Sequence, residues 1–347
     1  MIKVMLIDDS ALIRHLLTEI LNDTDDIRVV GTASDPIFAM KKINDLKPDV
    51  ITLDVEMPRM DGLTFLEQLM KTNPLPVVMI SALTQKGGDT TLKAIELGAV
   101  DYVSKPSIDV SNGVSALGDE IASKVRVAAK ANLRKVRSQG VKSMLFTVRG
   151  KTQNSELKTT TDKIIAIGAS TGGTQAITEV LANLPESTPG IVIVQHMPPV
   201  FTRSFADRLN SVSRLDVKEA CSGDRVLTGT VLIAPGNKHM TVKRNGAMYY
   251  VDIQDGPMVN FVRPSADVLF RSVARCAGKN AIGVILTGMG EDGARGMLEM
   301  KEAGAWTIAQ DEATSVVFGM PKKAIEIGAI DKVLPLEKIA EGINENI

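Results

Sequence analysis

One stretch decides the fold of the second half of this 347-residue chain: Ile164-Ile165-Ala166-Ile167-Gly168-Ala169-Ser170-Thr171-Gly172. Its apolar start predicts a buried strand, and residues 175–181 after it predict the opening of a helix. A serine framed as Gly-x-Ser-x-Gly at a strand-to-helix turn is a candidate nucleophile, because the glycines allow a sharp turn and bring backbone N–H groups close to an oxyanion. Glycine-rich turns after strands also bind phosphate or simply turn, so the pattern alone leaves the choice open.

A histidine ends the next apolar run. Residues 191–196 predict a second buried strand that finishes at His196. The carboxyl ends of the strands in a doubly wound parallel sheet lie along one edge, where ligands bind. We therefore expect Ser170 and His196 at the same crevice, with a capping or structural histidine as the alternative. His239, in contrast, is expected to support a loop.

The third member of a triad would be a carboxylate that fixes the imidazole tautomer and stabilises its charged form. A third apolar run, residues 281–286, leads into a glycine-rich loop that contains Glu291 and Asp292. Either acid could serve, because the spacing favours neither. The order Ser…His…Asp matches none of the three familiar triad orders, but geometry rather than order defines a triad.

The first half of the chain alternates short apolar runs with helical patterns, which predicts a parallel sheet with helices on both faces. Five polar residues stand at the ends of these runs: Asp8, Asp9, Asp54, Ser81 and Lys105. Clustered carboxylates favour Mg²⁺, which keeps waters for a phosphoryl group. The pattern predicts an aspartate that attacks a phosphoryl donor, with the cation and the lysine stabilising the developing charge. Acidic residues kept for solubility would not explain the matched lysine and hydroxyl.

Composition narrows the function classes. The formal net charge of −1 gives no field that would attract nucleic acid or an acidic membrane, and 3% aromatic residues leave few platforms for stacking bases. Cys221 and Cys276 form no Cys-x-x-Cys pair, which argues against a zinc site or a disulfide framework. No apolar stretch approaches the roughly 18 residues that span a bilayer. We therefore expect a cytoplasmic protein that binds no nucleic acid and does not insert into a membrane.

A change in sequence pattern and composition separates the two halves. It predicts a first domain over residues 1–122, a helical and basic linker over 123–160, and a second domain over 161–347. The expected fold class is α/β, with two doubly wound parallel-sheet domains, the first flavodoxin-like and the second Rossmann-like. The linker is expected to be a solvated hinge, although its basic charge could contact nucleic acid or an acidic partner.

The motifs of the first half resemble the receiver domain of bacterial two-component response regulators. The segments that carry the resemblance are Asp8-Asp9-Ser10, residues 53–62 (Leu-Asp-Val-Glu-Met-Pro-Arg-Met-Asp-Gly), Ser81-Ala82 and Lys105-Pro106. The resemblance implies that Asp54 is the phosphorylation site. It implies a Mg²⁺ site made by Asp8, Asp9, Asp54 and the backbone carbonyl of Glu56. It also implies that Ser81 and Lys105 contact the phosphoryl group and that Tyr102 occupies the position of an aromatic switch.

Receiver, linker and Gly-Ala-Ser-Thr-Gly-Gly together resemble the chemotaxis response-regulator methylesterases, the CheB-type protein-glutamate methylesterases. Further matching segments are residues 193–198, 234–240, 263–267 and 286–293. The resemblance implies Ser170 as nucleophile, His196 as general base and then acid, and Asp292 rather than Glu291 as orienting carboxylate. Thr171 and Met289 would be oxyanion or positioning elements. No cofactor is implied in the esterase site.

The same resemblance implies a phosphorylation-controlled hydrolase that removes methyl groups from glutamyl methyl esters on the cytoplasmic helices of chemoreceptors. It further implies deamidation of receptor glutamines and a chemotaxis histidine kinase as phosphoryl donor. The sequence does not fix the oligomeric state, and a monomer is the default expectation. A non-catalytic or DNA-binding output domain is the alternative, but no helix-turn-helix is evident. A dinucleotide-binding domain at Gly168 would need Gly-x-Gly-x-x-Gly, and serine stands where the middle glycine is required.

Overall fold

The computed structural model describes residues 1–81, 85–105, 114–131, 159 and 161–347, with only the backbone of 81, 85–86 and 114–117. Contacts divide the chain into two compact units, Met1–Val141 and Lys142–Ile347. No helix in the described ranges is long and apolar enough to cross a membrane.

The first unit is built on a five-stranded parallel sheet of strand order β2-β1-β3-β4-β5. Its elements are β1 (Ile2–Ile7), α1 (Ala11–Asn22), β2 (Ile27–Ala33), α2 (Pro36–Leu46), β3 (Val50–Asp54), α3 (Gly62–Thr72), β4 (Val77–Ser81), α4 (Gln85–Glu96), β5 (Asp101–Ser104) and α5 (Val114–Lys130). The predicted edge strand at 27–33 is confirmed. Helix α5 continues beyond the expected domain end at residue 122, and most of the predicted linker, 132–158 and 160, lies outside the described residues.

Local chemistry explains why these segments alternate. Every residue of β3 is buried, as expected for a central parallel strand that is covered on both faces. Helices α1, α2 and α3 each begin after a residue whose side chain accepts hydrogen bonds from the first turn, namely Ser10, Asp35 and Asp61. The order of the sheet places β1 beside β3, so Asp8 and Asp9, which follow β1, and Asp54, which ends β3, meet at one edge.

The second unit contains a seven-stranded parallel sheet of order β14-β13-β12-β6-β7-β9-β8 and a separate antiparallel hairpin, β10–β11. Its elements are β6 (Ile164–Ala169), α6 (Gly173–Ala182), β7 (Gly190–Gln195), α7 (Phe201–Val212), β8 (Asp216–Glu219), β9 (Thr230–Ile233), β10 (His239–Asn245), β11 (Met248–Gln254), α8 (Ala266–Ala277), β12 (Ala281–Ile285), α9 (Ala294–Glu302), β13 (Trp306–Gln310), α10 (Met320–Glu326), β14 (Lys332–Leu334) and α11 (Leu336–Asn344). The predicted α/β class is confirmed in both units; the hairpin was not predicted.

Strand β6 lies at the point where the strand order reverses. It pairs with β7 on one side and with β12 on the other, and all its residues are buried. Open α/β sheets bind ligands in the crevice at the carboxyl end of such a switch point. The loops after β6, β7 and β12 therefore meet where the sequence analysis expects the triad.

Candidate active site and phosphoryl-acceptor site

Ser170 and His196 are neighbours across two paired strands. Ala169 of β6 is in register with Gln195 of β7, so each candidate residue is the first one beyond its strand. The His196 N–H donates to the Ala169 carbonyl at 3.1 Å, which extends the ladder to the histidine. The Ser170 N–H donates in the other direction, to the carbonyl of Thr287 after β12, at 3.0 Å. Three loops are thus tied together around the serine.

Two glycines explain the sharpness of the serine turn. Gly172 has φ +79°, in the left-handed region, and a Cβ there would lie 2.7 Å from Val316 Cβ. A Cβ on Gly288 would lie 2.8 Å from Ser170 Cβ, so the loop after β12 can approach the serine only without a side chain. The Gly-x-Ser-x-Gly pattern therefore matches a tight turn at Gly172. The requirement for glycine at position 288 comes from a segment distant in sequence, the loop after β12.

Asp292 is held at the N-terminus of helix α8. Its carboxylate accepts from the backbone N–H of Ala266 at 2.6 Å and from the hydroxyl of the N-cap residue Ser265 at 2.6 Å. The side-chain amide of Asn260 donates to it at 2.8 Å. Unpaired N–H groups and the helix dipole favour a negative charge at this position. A 2%-exposed carboxylate is thereby fixed in one orientation.

His196 Nε2 lies 2.8 Å from Asp292 Oδ2. Burial acts to raise the pKa of Asp292, but the hydrogen bond and charge of His196, with the bonds from Ser265 and Asn260, outweigh it and leave the pKa below its usual value. The carboxylate is therefore an acceptor, which places the proton of neutral His196 on Nε2 and leaves Nδ1 able to accept a proton.

The serine and the histidine are not hydrogen-bonded to each other in the described part of the chain. Their adjacent strand-end positions still place both side chains at the same edge. Hydrogen bonds between a nucleophile and its base are often long before substrate binds and shorten in the complex. Chemically, the arrangement offers a hydroxyl, a base with an accepting nitrogen, and a carboxylate that stabilises the charged base.

Several residues that support this site were missed by the sequence analysis. Gln195 is buried, and its Nε2 donates to the carbonyls of Ser170 at 2.9 Å and of His196 at 3.2 Å. Asn260 donates to both Asp292 and the buried Asp267, at 2.8 Å each. The sequence signal that could have identified Gln195 is its position as a polar residue at the end of a buried strand. Asn260 carries no such signal, because it reaches the site from a loop outside the parallel sheet.

The remaining predicted residues of this half lie around the same edge. Thr171 is buried, and its carbonyl accepts from Thr287 Oγ1 at 3.0 Å. Met289 follows Gly288 and is 42% exposed, while Glu291 is exposed and lines a cavity of about 430 Å³. Asp292 rather than Glu291 meets the histidine. His239, the first residue of β10, is buried, and its Nε2 donates to the Pro257 carbonyl at 2.9 Å.

A second cluster lies at the carboxyl edge of the first sheet. One carboxylate oxygen from each of Asp8, Asp9 and Asp54 lies within 4.8 Å of the other two. Lys105 Nζ donates to Asp54 Oδ2 at 2.6 Å and lies 3.3 Å from Asp8 Oδ2. That Asp8 oxygen is buried and makes no hydrogen bond in the described part of the chain. The lysine therefore compensates the three carboxylates only in part.

The electrostatics of this cluster fit a bound divalent cation. Burial raises the pKa of Asp54 to about 6, with the charge of Asp8 adding to it against the opposing effect of Lys105. Burial likewise raises the pKa of Asp8. Such carboxylates are costly to ionise side by side, and Mg²⁺ prefers oxygen ligands of this kind. The donor set and the buried Asp8 oxygen thus fit Mg²⁺.

The other residues predicted for phosphoryl chemistry lie near Asp54 in the sequence or on neighbouring strands of the same sheet. Glu56 donates its N–H to Asp54 Oδ1 at 3.3 Å, and the role of its carbonyl stays a prediction. Ser81 ends β4 beside β3, but its side chain lies outside the described residues. Tyr102 is buried in β5, with Lys124 Nζ 5.0 Å from the centre of its ring.

Both halves of the chain match families of known proteins. The model of the CheB methylesterase family matches residues 165–343, and that of the response regulator receiver domain matches residues 4–116. The chain is 55% identical over 342 residues to protein-glutamate methylesterase/protein-glutamine glutaminase 1 of Geobacter metallireducens, covering 96% of this chain and 93% of that protein. It is 55% identical over 340 residues to the protein-glutamate methylesterase/protein-glutamine glutaminase of Escherichia coli K12, covering 98% and 95%.

A solved structure also resembles the second unit. The CheB methylesterase catalytic domain of Thermotoga maritima is 45% identical with a TM-score of 0.52, and the match covers 53% of this chain and 98% of that one. The resemblance inferred from the motifs is confirmed.

Proposed function

Because the chain belongs to the CheB methylesterase family and carries a response regulator receiver domain, we propose that it hydrolyses glutamyl methyl esters, and glutamine side chains, of chemoreceptors under the control of Asp54 phosphorylation. The observation that supports hydrolase activity is the 2.8 Å contact between His196 and the carboxylate of Asp292 at the N-terminus of α8. His196 is the first residue after β7, which pairs with the strand that precedes Ser170. The relatives of the chain are named for both activities.

In the proposed mechanism, the hydroxyl of Ser170 attacks the ester carbonyl while His196 Nδ1 takes its proton. The imidazolium that forms is stabilised by Asp292, whose depressed pKa keeps it ionised. Methanol leaves with the proton from His196. Water, deprotonated by the same nitrogen, then attacks the acyl-serine, and the glutamate product is released as His196 returns the proton to the Ser170 oxygen. A glutamine side chain would follow the same steps with ammonia as leaving group. Backbone N–H groups near Thr171 and Met289 are the proposed oxyanion donors.

In the first unit, Asp54 is the proposed phosphoryl acceptor. Asp8, Asp9, Asp54 and the carbonyl of Glu56 would hold Mg²⁺, which supplies positive charge for a phosphoryl group. Lys105, already 2.6 Å from Asp54, would shift its hydrogen bond to a phosphoryl oxygen, and Ser81 would donate another. Tyr102 is the proposed residue that responds to this change. A chemotaxis histidine kinase is the proposed donor, and the protein is proposed to act as a cytoplasmic monomer.

The test measures methanol release from methylated cytoplasmic fragments of a chemoreceptor, with and without a small phosphodonor and Mg²⁺. Wild type should release methanol faster with the phosphodonor, and Asp54→Asn should not respond to it. Ser170→Ala should lower kcat by roughly 10⁴- to 10⁶-fold, since the nucleophile is lost. Ser211→Ala, an exposed serine on α7, is the matched control and should be unchanged. Wild-type release that persists in Ser170→Ala would refute the assignment.

A further inference from the structure

Phe261 is the most exposed large apolar residue of the described chain, with 96% of its surface open to solvent. It lies at the tip of a two-residue turn closed by Val259 and Val262, whose N–H and carbonyl groups pair in both directions at 3.2 and 3.1 Å. Met258, just before the turn, is 62% exposed. Exposed apolar residues that are grouped in this way mark binding surfaces more often than isolated ones do.

The backbone of this turn is unfavourable for phenylalanine. Asn260 has φ +52° and Phe261 has φ +63°, both in the left-handed region. Turns with positive φ at both central positions favour Asn-Gly, because glycine has no Cβ to clash, and a bulky residue at the second position is strained. The chain therefore displays an apolar ring to solvent at a position where glycine would be more stable. Such strain persists where the side chain serves a function.

The turn is anchored directly to the proposed triad. Asn260 donates to Asp292 at 2.8 Å, so Phe261 directly follows a residue that fixes the proposed catalytic carboxylate. His239 donates to the Pro257 carbonyl, and Arg263 donates to the Gly256 carbonyl and to Asn237. The phenyl ring thus lies on a loop held by several hydrogen bonds, and the residue before it, Asn260, contacts the triad.

We propose that Phe261, with Met258, is the docking point for an apolar side chain of the protein whose ester Ser170 hydrolyses. This inference rests on the proposed function. The scissile group lies on a short side chain, so the backbone that bears it must come against the rim of the crevice. The turn adjoins the triad, because Asn260 contacts Asp292. An amphipathic helix that carries the ester presents apolar side chains about one turn away, and these are the occupants that Phe261 fits.

The test compares two substrates on the full chain. Phe261→Gly removes the ring and leaves Asn-Gly, which relieves the strain, so the variant should fold at least as well as wild type. On a methylated receptor fragment, we expect kcat/KM to fall by about 10- to 100-fold, mainly through KM, which is the range for losing one buried aromatic contact. On a blocked glutamate γ-methyl ester, which has no helix to dock, we expect a change below about twofold. Phe261→Leu should recover part of the loss.

Met248→Ala is the matched control, because Met248 is a 40%-exposed methionine at the opposite end of the hairpin. It should leave both substrates unchanged. Equal kcat/KM for wild type and Phe261→Gly on the fragment would overturn the proposal, as would an equal loss on both substrates, which would assign the turn to positioning Asp292. A faster unphosphorylated Phe261→Gly chain, or a change in sedimentation, would assign the ring to an intramolecular or self-contact instead. If wild type releases no methanol from the fragment, the proposed function fails, and this outcome is distinct from all the others.

Discussion

Replacing Asp292 by asparagine tests whether the helix-bound carboxylate carries the catalytic charge. The side chain would keep its size, but it would lose its negative charge and gain an N–H₂ group among the donors of Ala266, Ser265 and Asn260. At 2.8 Å from His196 Nε2, and with an effective dielectric constant of about 20, the carboxylate stabilises an imidazolium by roughly 6 kcal/mol. Since about 1.4 kcal/mol corresponds to a factor of ten, kcat should fall by roughly 10⁴-fold.

The assay is methanol release from a methylated receptor fragment at several substrate concentrations, so that kcat and KM are separated. KM should hardly change, because Asp292 contacts the histidine rather than the substrate. Glu291→Gln is the matched control: it makes the same chemical change one residue earlier, on an exposed side chain, and should retain near-normal activity. A kcat within tenfold of wild type for Asp292→Asn, with the fold intact by circular dichroism, would refute the assigned role. A large loss in Glu291→Gln would reverse the choice between the two acids.

Two further predictions concern the surroundings of the two carboxylate sites. Ser265→Ala removes both the N-cap of α8 and a 2.6 Å hydrogen bond to Asp292. We expect the free energy of unfolding, measured by urea titration, to fall by about 1–3 kcal/mol, and kcat to fall by 10- to 100-fold. An unchanged kcat would mean that Ala266 and Asn260 are sufficient to hold the carboxylate. Asp54→Asn should stabilise the metal-free first unit. The pKa of Asp54, raised to about 6, means that the native state resists ionisation of this carboxyl group. The free energy of unfolding of wild type is therefore highest below about pH 4 and falls as the pH rises through 6. Above that pH it is lower by roughly 3 kcal/mol. Hydrogen exchange of the β1 and β3 amides in the full chain should show slower exchange in the variant at pH 7.5 and no difference near pH 4. Slower exchange at both pH values would exclude the titration of Asp54 as the cause.

The course of the chain through its central strands could be predicted, because a buried parallel strand is apolar along its whole length. The runs at 164–167, 191–196 and 281–286 predicted β6, β7 and β12 to within two residues at each end. The hairpin β10–β11 was missed. Its strands lie outside the parallel sheet and alternate buried with exposed residues only in part, so they lack the continuous apolar run that marked the others.

The chemistry at the strand ends was equally accessible from sequence, because a polar residue that directly follows an apolar strand must lie at the edge of the sheet. This reasoning identified Ser170, His196 and the three acidic residues of the first unit. It did not separate Glu291 from Asp292, since both follow the same strand and a loop can turn either one inward. The family resemblance favoured Asp292, and the tertiary structure supplies the physical reason: Asp292 faces the N-terminus of α8.

The sequence by itself determined which strands form and which side chains stand at their ends, since strand formation follows from local apolar patterns and the edge position follows from the order of residues. Only the tertiary structure decided what those side chains meet. The partners of Asp292 come from Asn260, Ser265 and Ala266, about 30 residues earlier in the chain, and from His196, almost 100 residues earlier. The approach of Gly288 to Ser170 spans a still larger gap in the chain. Contacts of this length depend on packing between elements, which no local pattern records.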